Sequence, residues 1–285
     1  MGARLLRAGV HGPVLAGLPA GAPLRRRARV PGAGPALRRA ARHRPSGVNL
    51  YRDDVLVLRT YKLGEADRIC VLLGETAGKL RVVAKGVRRT TSKQGSRLEP
   101  LAHVRVQCHR GRGELDTLTQ AQAIEPFAAI RSDFDRLARA SIVVEAVDAM
   151  TLDREPAPDV YRLLLGVLRT IDAGDRPLVV AAALLRLLQL DGVAPVVDRC
   201  VTCDAEGPLV AIDLEVGGAR CERCRSGLAV DDDGFRLLGL ILTGRTSAAL
   251  AEPSSPVTSL LERLAVRAVE RHLDRRLRAA AVGDR

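Results

Sequence analysis

At 285 residues and 47% hydrophobic content, the chain is long enough for two domains with proper cores. Six cysteines in a chain of this length exclude a disulfide-built scaffold, and no stretch is long and apolar enough to span a bilayer. The net charge is +12, but ten of those charges are the arginines at 4, 7, 25, 26, 27, 29, 38, 39, 42 and 44, so the rest of the chain carries only about +2 and overall basicity says little about partners.

Residues 1–48 contain no lysine and no acid, and their Arg, Ala, Gly, Pro and Leu show no sustained periodicity, which predicts a disordered basic tail. Three readings compete: a transit peptide, weakened by the near absence of serine; a basic arm that touches nucleic acid; or translated upstream sequence ahead of a true start near Val48. The abrupt onset of a strand pattern at Leu50-Tyr51 favours the third.

From Asp54 the period becomes two, and five strands are expected over 55–62, 68–73, 79–85, 102–109 and 114–124. Turn formers separate them, including 63–65, 75–78 and the Arg110-Gly111-Arg112-Gly113 run. Five short strands with a longer connection between the third and fourth match an OB-fold barrel over 49–126; an SH3-like barrel would read similarly.

That connection concentrates charge. No acid occurs between Glu75 and Glu99, whereas Lys79, Arg81, Lys85, Arg88, Arg89, Lys93 and Arg97 do. Interrupted by Gly and Ser, the 85–97 segment suits contacts to a phosphate backbone, with a solvated loop as the plain alternative. Trp is absent and only Tyr61 offers a stacking face, so backbone contact with little sequence preference is expected.

After Pro126 the period turns helical, and helices are expected at 133–151, 158–173, 177–190, 233–242 and 256–278, a helical domain over 127–280. The third is apolar nearly all round and therefore central. Glu145, Asp148 and Arg162 read as ordinary solvated positions, and His272 as exposed. Arg263, Arg267, Arg271 and Arg275 recur every fourth residue, a charged outer face or a second phosphate track.

The helices are interrupted by Cys200-Val201-Thr202-Cys203 and, seventeen residues later, Cys221-Glu222-Arg223-Cys224. Two C-x2-C knuckles joined by a hairpin over 208–218 predict one tetrahedral zinc site within an inserted ribbon at 198–228. Four sulfur ligands leave no open position for water, so the expected metal is structural. Paired disulfides and redox C-x-x-C chemistry are the alternatives. Cys70 and Cys108 lie in apolar runs and read as buried thiols of a reducing, cytoplasmic compartment.

No nucleotide-binding Gly-x4-Gly-Lys-Ser/Thr, His-Glu-x2-His or Gly-x-Gly-x2-Gly motif is present, and no enzyme is expected. The Asp231-Asp232-Asp233 run precedes a helix and reads as a cap rather than a magnesium site.

Between Leu50 and about Leu277 the chain resembles the bacterial recombination mediator family RecO, in its zinc-containing, actinobacterial form. The resemblance rests on 54–73 (DVLVLRTYKLGEADRICVLL), 83–89 (VAKGVRR), 97–101 (RLEPL) and the cysteine quartet with Gly217-Gly218 before its second knuckle. It implies an OB-fold that binds single- and double-stranded DNA, followed by a helical domain, in a protein of the RecF pathway associated with the nucleoid. It further implies annealing of complementary strands, contact with RecR and the single-strand DNA-binding protein, and help in loading RecA. On that likeness Lys85, Arg88 and Arg89 contact the DNA backbone, with Lys93 and Arg97 following in the same loop. The tail 1–48 has no counterpart in the family pattern. A zinc-ribbon transcription or translation factor is the alternative reading.

Overall fold

The computed structural model describes residues 50–89, 92 and 94–283. The tail 1–48 and Lys93 lie outside the described residues. Five strands form a closed barrel: β1 (Leu50–Leu63), β2 (Asp67–Gly74), β3 (Gly78–Ala84), β4 (His103–His109) and β5 (Leu115–Glu125). Their order around the barrel is β1-β2-β3-β5-β4, closing β4 onto β1. Only β3 and β5 run parallel, through Arg81 opposite Leu115, and this is the five-stranded closure expected of an OB-type barrel.

β1 and β2 are more apolar than a half-exposed strand requires, and the packing shows why. Val55, Val57, Cys70 and Leu72 fill the barrel interior. Their neighbours Leu56, Leu58, Val71 and Leu73 point outward and join the core of the helical domain. Both faces are therefore dry, and each of these leucines contributes about 2 kcal/mol by burial. The register shifts between Val57 and Arg59, where Val57 instead exchanges backbone hydrogen bonds with Leu101 and Ala102. This bend carries the outer face of β1 onto the helices.

The helical domain comprises α1 (Ala128–Ser132), α2 (Phe134–Met150), α3 (Pro158–Ala173), α4 (Val179–Leu190), α5 (Asp232–Leu242), α6 (Thr246–Ala249), α7 (Pro256–Leu273) and α8 (Ala280–Gly283). Sequence-local signals set most of the boundaries. The Asp133 carboxylate accepts the backbone N–H groups of Asp135 and Arg136 at 2.9 and 3.0 Å, and Pro158 sits in the first turn of α3. Asp231 caps α5 through Gly234 N at 2.8 Å, in keeping with the capping role expected of that acidic run. α4 starts at Val179, two residues after Pro177, and is enclosed by α2, α3, α5 and α7.

α7 is shorter than its pattern suggested. It ends at Leu273 because Asp274 adopts a left-handed conformation, φ 50°, and the chain turns away. Arg275 thereby leaves the helical face, so the expected four-arginine ladder keeps only Arg263, Arg267 and Arg271. Glu145 fixes this turn by accepting the backbone N–H groups of Arg278 and Ala279 at 3.1 and 2.9 Å and pairing with Arg275 at 3.3 Å. Glu145 is thus a structural carboxylate and not the solvated position its helical register implied. His272 is exposed, as expected, and its Nε2 lies 2.9 Å from Asp191 Oδ2.

Asp148 is the larger departure. Its side chain is 11% exposed and lies between Arg59 Nε at 2.8 Å and Lys79 Nζ at 3.6 Å. Lys79 also donates to the Asp148 carbonyl at 2.7 Å, and Lys79 and Arg81 both face Asp153. Barrel and helical domain are locked further by Arg154 on Asp116 and by Glu125, which accepts from Arg169 and meets His103, itself bonded to the Tyr161 hydroxyl. Gly78 permits the closest approach. With φ at +72°, a Cβ there would fall 1.9 Å from the Glu155 carbonyl oxygen.

Candidate metal centre and nucleic-acid interface

A three-stranded ribbon interrupts the helices: β6 (Leu209–Asp213), β7 (Gly218–Cys221) and β8 (Leu228–Ala229), in the order β7-β6-β8. The hairpin expected over 208–218 is present, and it brings the knuckles together. Gly217, with φ at +87°, makes the turn, and Gly218 lets Val196 press so close that a Cβ would sit 2.4 Å from its carbonyl oxygen. The first knuckle is then stitched alongside β7 by Val201 N donating to Ala219 O at 2.9 Å, while the second knuckle grows from the end of β7.

The four sulfurs of Cys200, Cys203, Cys221 and Cys224 all lie within 4.8 Å of one another, with Cys203 and Cys221 at 3.5 Å. Thiolates around a tetrahedral ion at a metal–sulfur distance of about 2.3 Å would be about 3.8 Å apart, so the cluster has the size of a metal site. Backbone N–H groups of Cys221, Thr202 and Cys203 aim at the Cys200 sulfur and push its pKa down to about 6. Cys224 goes the other way, up to about 12, chiefly because of its hydrogen bond with Cys203. A cation at the centre of the four sulfurs would favour the deprotonated form of all four. Cys70 and Cys108 take no part: both are fully buried in the barrel, and burial raises them to about 11 and about 12.

The barrel connection separates the basic residues of 75–99 into two groups. Lys79, Arg81 and the strand residues Arg59 and Arg68 are spent on carboxylates. Lys85 and Arg89 are exposed, and among the described residues neither forms an ion pair. Arg88 donates to the Gly64 carbonyl at 2.7 Å, and Arg97, in a one-turn 3-10 helix over Gly95–Leu98, donates to the Ala121 carbonyl on β5 at 2.9 Å. A carbonyl positions a guanidinium without neutralising it. The connection is held down by Leu98, fully buried in the barrel, and by Asp67, whose carboxylate accepts Gly86 N at 2.7 Å. Lys85 to Arg89 therefore sit over the β1–β2 turn, with Arg97 further round toward β5.

Further cations lie on the barrel that the sequence pattern did not single out. Lys62 lies one residue before the end of β1, beside the same turn, and Arg110 and Arg112 project from the β4–β5 turn; all three are exposed and without an ion pair among the described residues. Arg110 lies over the Tyr51 ring at 5.7 Å. The alternating Arg-Gly pattern was visible, but it registers equally as a turn signal. Tyr61 sits on β1, 45% exposed, with the Arg59 guanidinium 5.2 Å from its ring centre.

A closed OB-type barrel fused to a helical domain that carries a four-cysteine ribbon, with cations left open on the barrel, defines a modular barrel-and-helix protein. Residues 48–127 match the family model described as Recombination protein O N terminal, and residues 131–281 match Recombination protein O C terminal. The chain belongs to the recombination protein O family, whose members serve DNA repair and recombination as mediators. No helix of the described residues is long and apolar enough to cross a membrane.

Proposed function

We propose that this chain anneals complementary DNA strands and, with RecR, helps load RecA onto gapped single-stranded DNA in the RecF pathway. The observation that carries this reading is the open basic connection. Lys85, Arg88, Arg89 and Arg97 stay uncompensated while their neighbours Lys79 and Arg81 are neutralised by the helical domain. A flexible polyanion gains most where guanidinium and ammonium groups are held near it but not already paired. The outer faces of β1 and β2 are covered by helices, whereas this connection and the two turns carry open cations where a backbone can approach.

Annealing requires no covalent step. A basic surface screens the repulsion between two phosphate backbones, and the scarcity of stacking aromatics leaves the base edges free to pair. The reading therefore assigns no enzymatic activity. Single- and double-stranded DNA, RecR and the single-strand DNA-binding protein are the proposed direct partners, with RecF and RecA acting downstream, in the cytoplasm at the nucleoid. The metal is proposed to be zinc, held by Cys200, Cys203, Cys221 and Cys224 in a closed all-sulfur set that supplies folding energy and no chemistry.

The test is a strand-annealing assay across a salt series, with and without single-strand DNA-binding protein. Acceleration of pairing that fades as salt rises is expected. A protein that binds one DNA sequence selectively, or that cleaves DNA when magnesium is added, would overturn the proposal.

A further inference from the structure

We infer that Arg220 is the positioning residue of the four-cysteine cluster, a two-pronged clamp that holds the knuckles at the separation a metal needs. The inference rests on reading the quartet as metal ligands. Arg220 stands on β7 immediately before Cys221, and its side chain reaches both knuckles. Nε donates to the carbonyl oxygen of Cys224 at 2.6 Å, and Nη1 donates to the hydroxyl of Thr202, inside the first knuckle.

The placement matters because Arg220 joins the backbone of the second knuckle to the tip of the first. The ladder of β6 and β7 ends at Cys221, opposite Leu209, so the turn that carries Cys224 lies beyond the paired strands. The first knuckle is anchored to β7 through Val201 and closed on itself by Asp204 N donating to the Cys200 carbonyl at 2.9 Å and Cys200 N to the Ala205 carbonyl at 2.8 Å, with Cys203 exposed at its tip. Arg223 on the second knuckle also reaches the Cys203 sulfur, whereas Arg220 links the two knuckles through a carbonyl and a hydroxyl and leaves the sulfurs free for a metal. A planar guanidinium supplies donors at fixed angles, so one side chain sets the distance between the Cys224 carbonyl and the Thr202 hydroxyl. A lysine has the charge but not the fork.

The guanidinium also brings a positive charge beside the cluster. Four thiolates around a divalent cation leave a net charge of about −2, so a nearby cation favours the loaded form over the empty one. Interactions that orient ligands in this way commonly change metal affinity by about 10- to 100-fold.

The test uses the full chain, loaded with zinc, as wild type, Arg220→Met, Arg220→Lys and, as a ligand control, Cys203→Ser. Zinc release to excess chelator is followed by a chromophoric indicator, and the same four proteins are titrated with cobalt to record the sulfur-to-metal charge-transfer and ligand-field bands. Arg220→Met is expected to release zinc at least about tenfold faster and to shift the ligand-field bands, with unfolding of the metal-free protein unchanged. Arg220→Lys should recover only part of the release rate and not the spectrum. Wild-type release and spectrum in Arg220→Met would overturn the clamp, as would equal destabilisation of its metal-free and loaded forms. If the wild type itself takes up neither zinc nor cobalt, the metal reading fails, and the clamp fails with it.

Discussion

Arg154 of the helical domain places Nη2 2.9 Å from Oδ1 of Asp116, a carboxylate at the start of β5 with no exposed surface. Around that pair, the Tyr51 hydroxyl donates to Asp116 Oδ2 at 2.6 Å, and Gly111 N donates to Oδ1 at 2.9 Å. Burial alone would raise the Asp116 pKa, but Arg154, Tyr51 and the Gly111 N–H outweigh it and hold the group below the usual carboxylate range. One acid thus ties β1, the β4–β5 turn and the helical domain together.

Replacing Arg154 with Met should therefore destabilise the protein by about 3 kcal/mol, since it leaves a buried charge without its partner. Urea unfolding at pH 7 checks this. The Asp116→Asn, Arg154→Met double variant should recover part of the loss, because it removes the orphaned charge as well.

Glu125 gives the interface a pH dependence. Its hydrogen bond with Arg169, and then His103, holds it below the ordinary glutamate range despite partial burial. A depressed acid stabilises the fold above its unfolded-state value, about 4.3, and that stabilisation is lost as pH falls through the folded value. Unfolding midpoints measured from pH 7 down to pH 3 should fall in the acid limb, and Glu125→Gln should flatten that limb.

Neutralising Lys85, Arg88 and Arg89 together with Ala should weaken single-stranded DNA binding and reduce the slope of log K against log salt by about 2, at about 0.7 per phosphate contact. Fluorescence anisotropy over a salt series measures both. Arg81→Ala, which removes a cation already engaged with Asp153, should leave the slope unchanged.

Cys203→Ser, or chelation of the wild type, should remove the metal and lower the melting temperature by at least about 5 °C, because binding energy at such a site is partly folding energy. The cations of the proposed DNA contact lie on the barrel and not on the ribbon, so DNA affinity should change far less than stability. Metal content by native mass spectrometry and paired melting and binding curves separate the two effects.

A barrel cut out as residues 48–127 would expose Leu56, Leu58, Val71 and Leu73 on one side. It should bind a hydrophobic dye and self-associate, whereas the same fragment with Leu58→Ser and Leu73→Ser should stay monomeric by light scattering.

Local chemistry was legible in the residues themselves. Five strands, the cap at Asp231, the hairpin between the knuckles and the convergence of Cys200, Cys203, Cys221 and Cys224 follow from turn formers, side-chain periods and ligand spacing, all of which act locally along the chain. The open cations Lys85, Arg88, Arg89 and Arg97 were also marked, by the absence of acids around them. What only the tertiary structure decided is which charges are free and which are spent. Asp148 and Glu145 sit at registers that look solvated on an isolated helix, yet one neutralises Arg59 and Lys79 across the domain interface and the other caps the turn after α7. The end of α7 at Asp274 and the two-sided burial of β1 belong to the same class. Each depends on a contact between residues far apart in sequence, and periodicity within one element reports the shape of that element's faces but not what comes to lie against them.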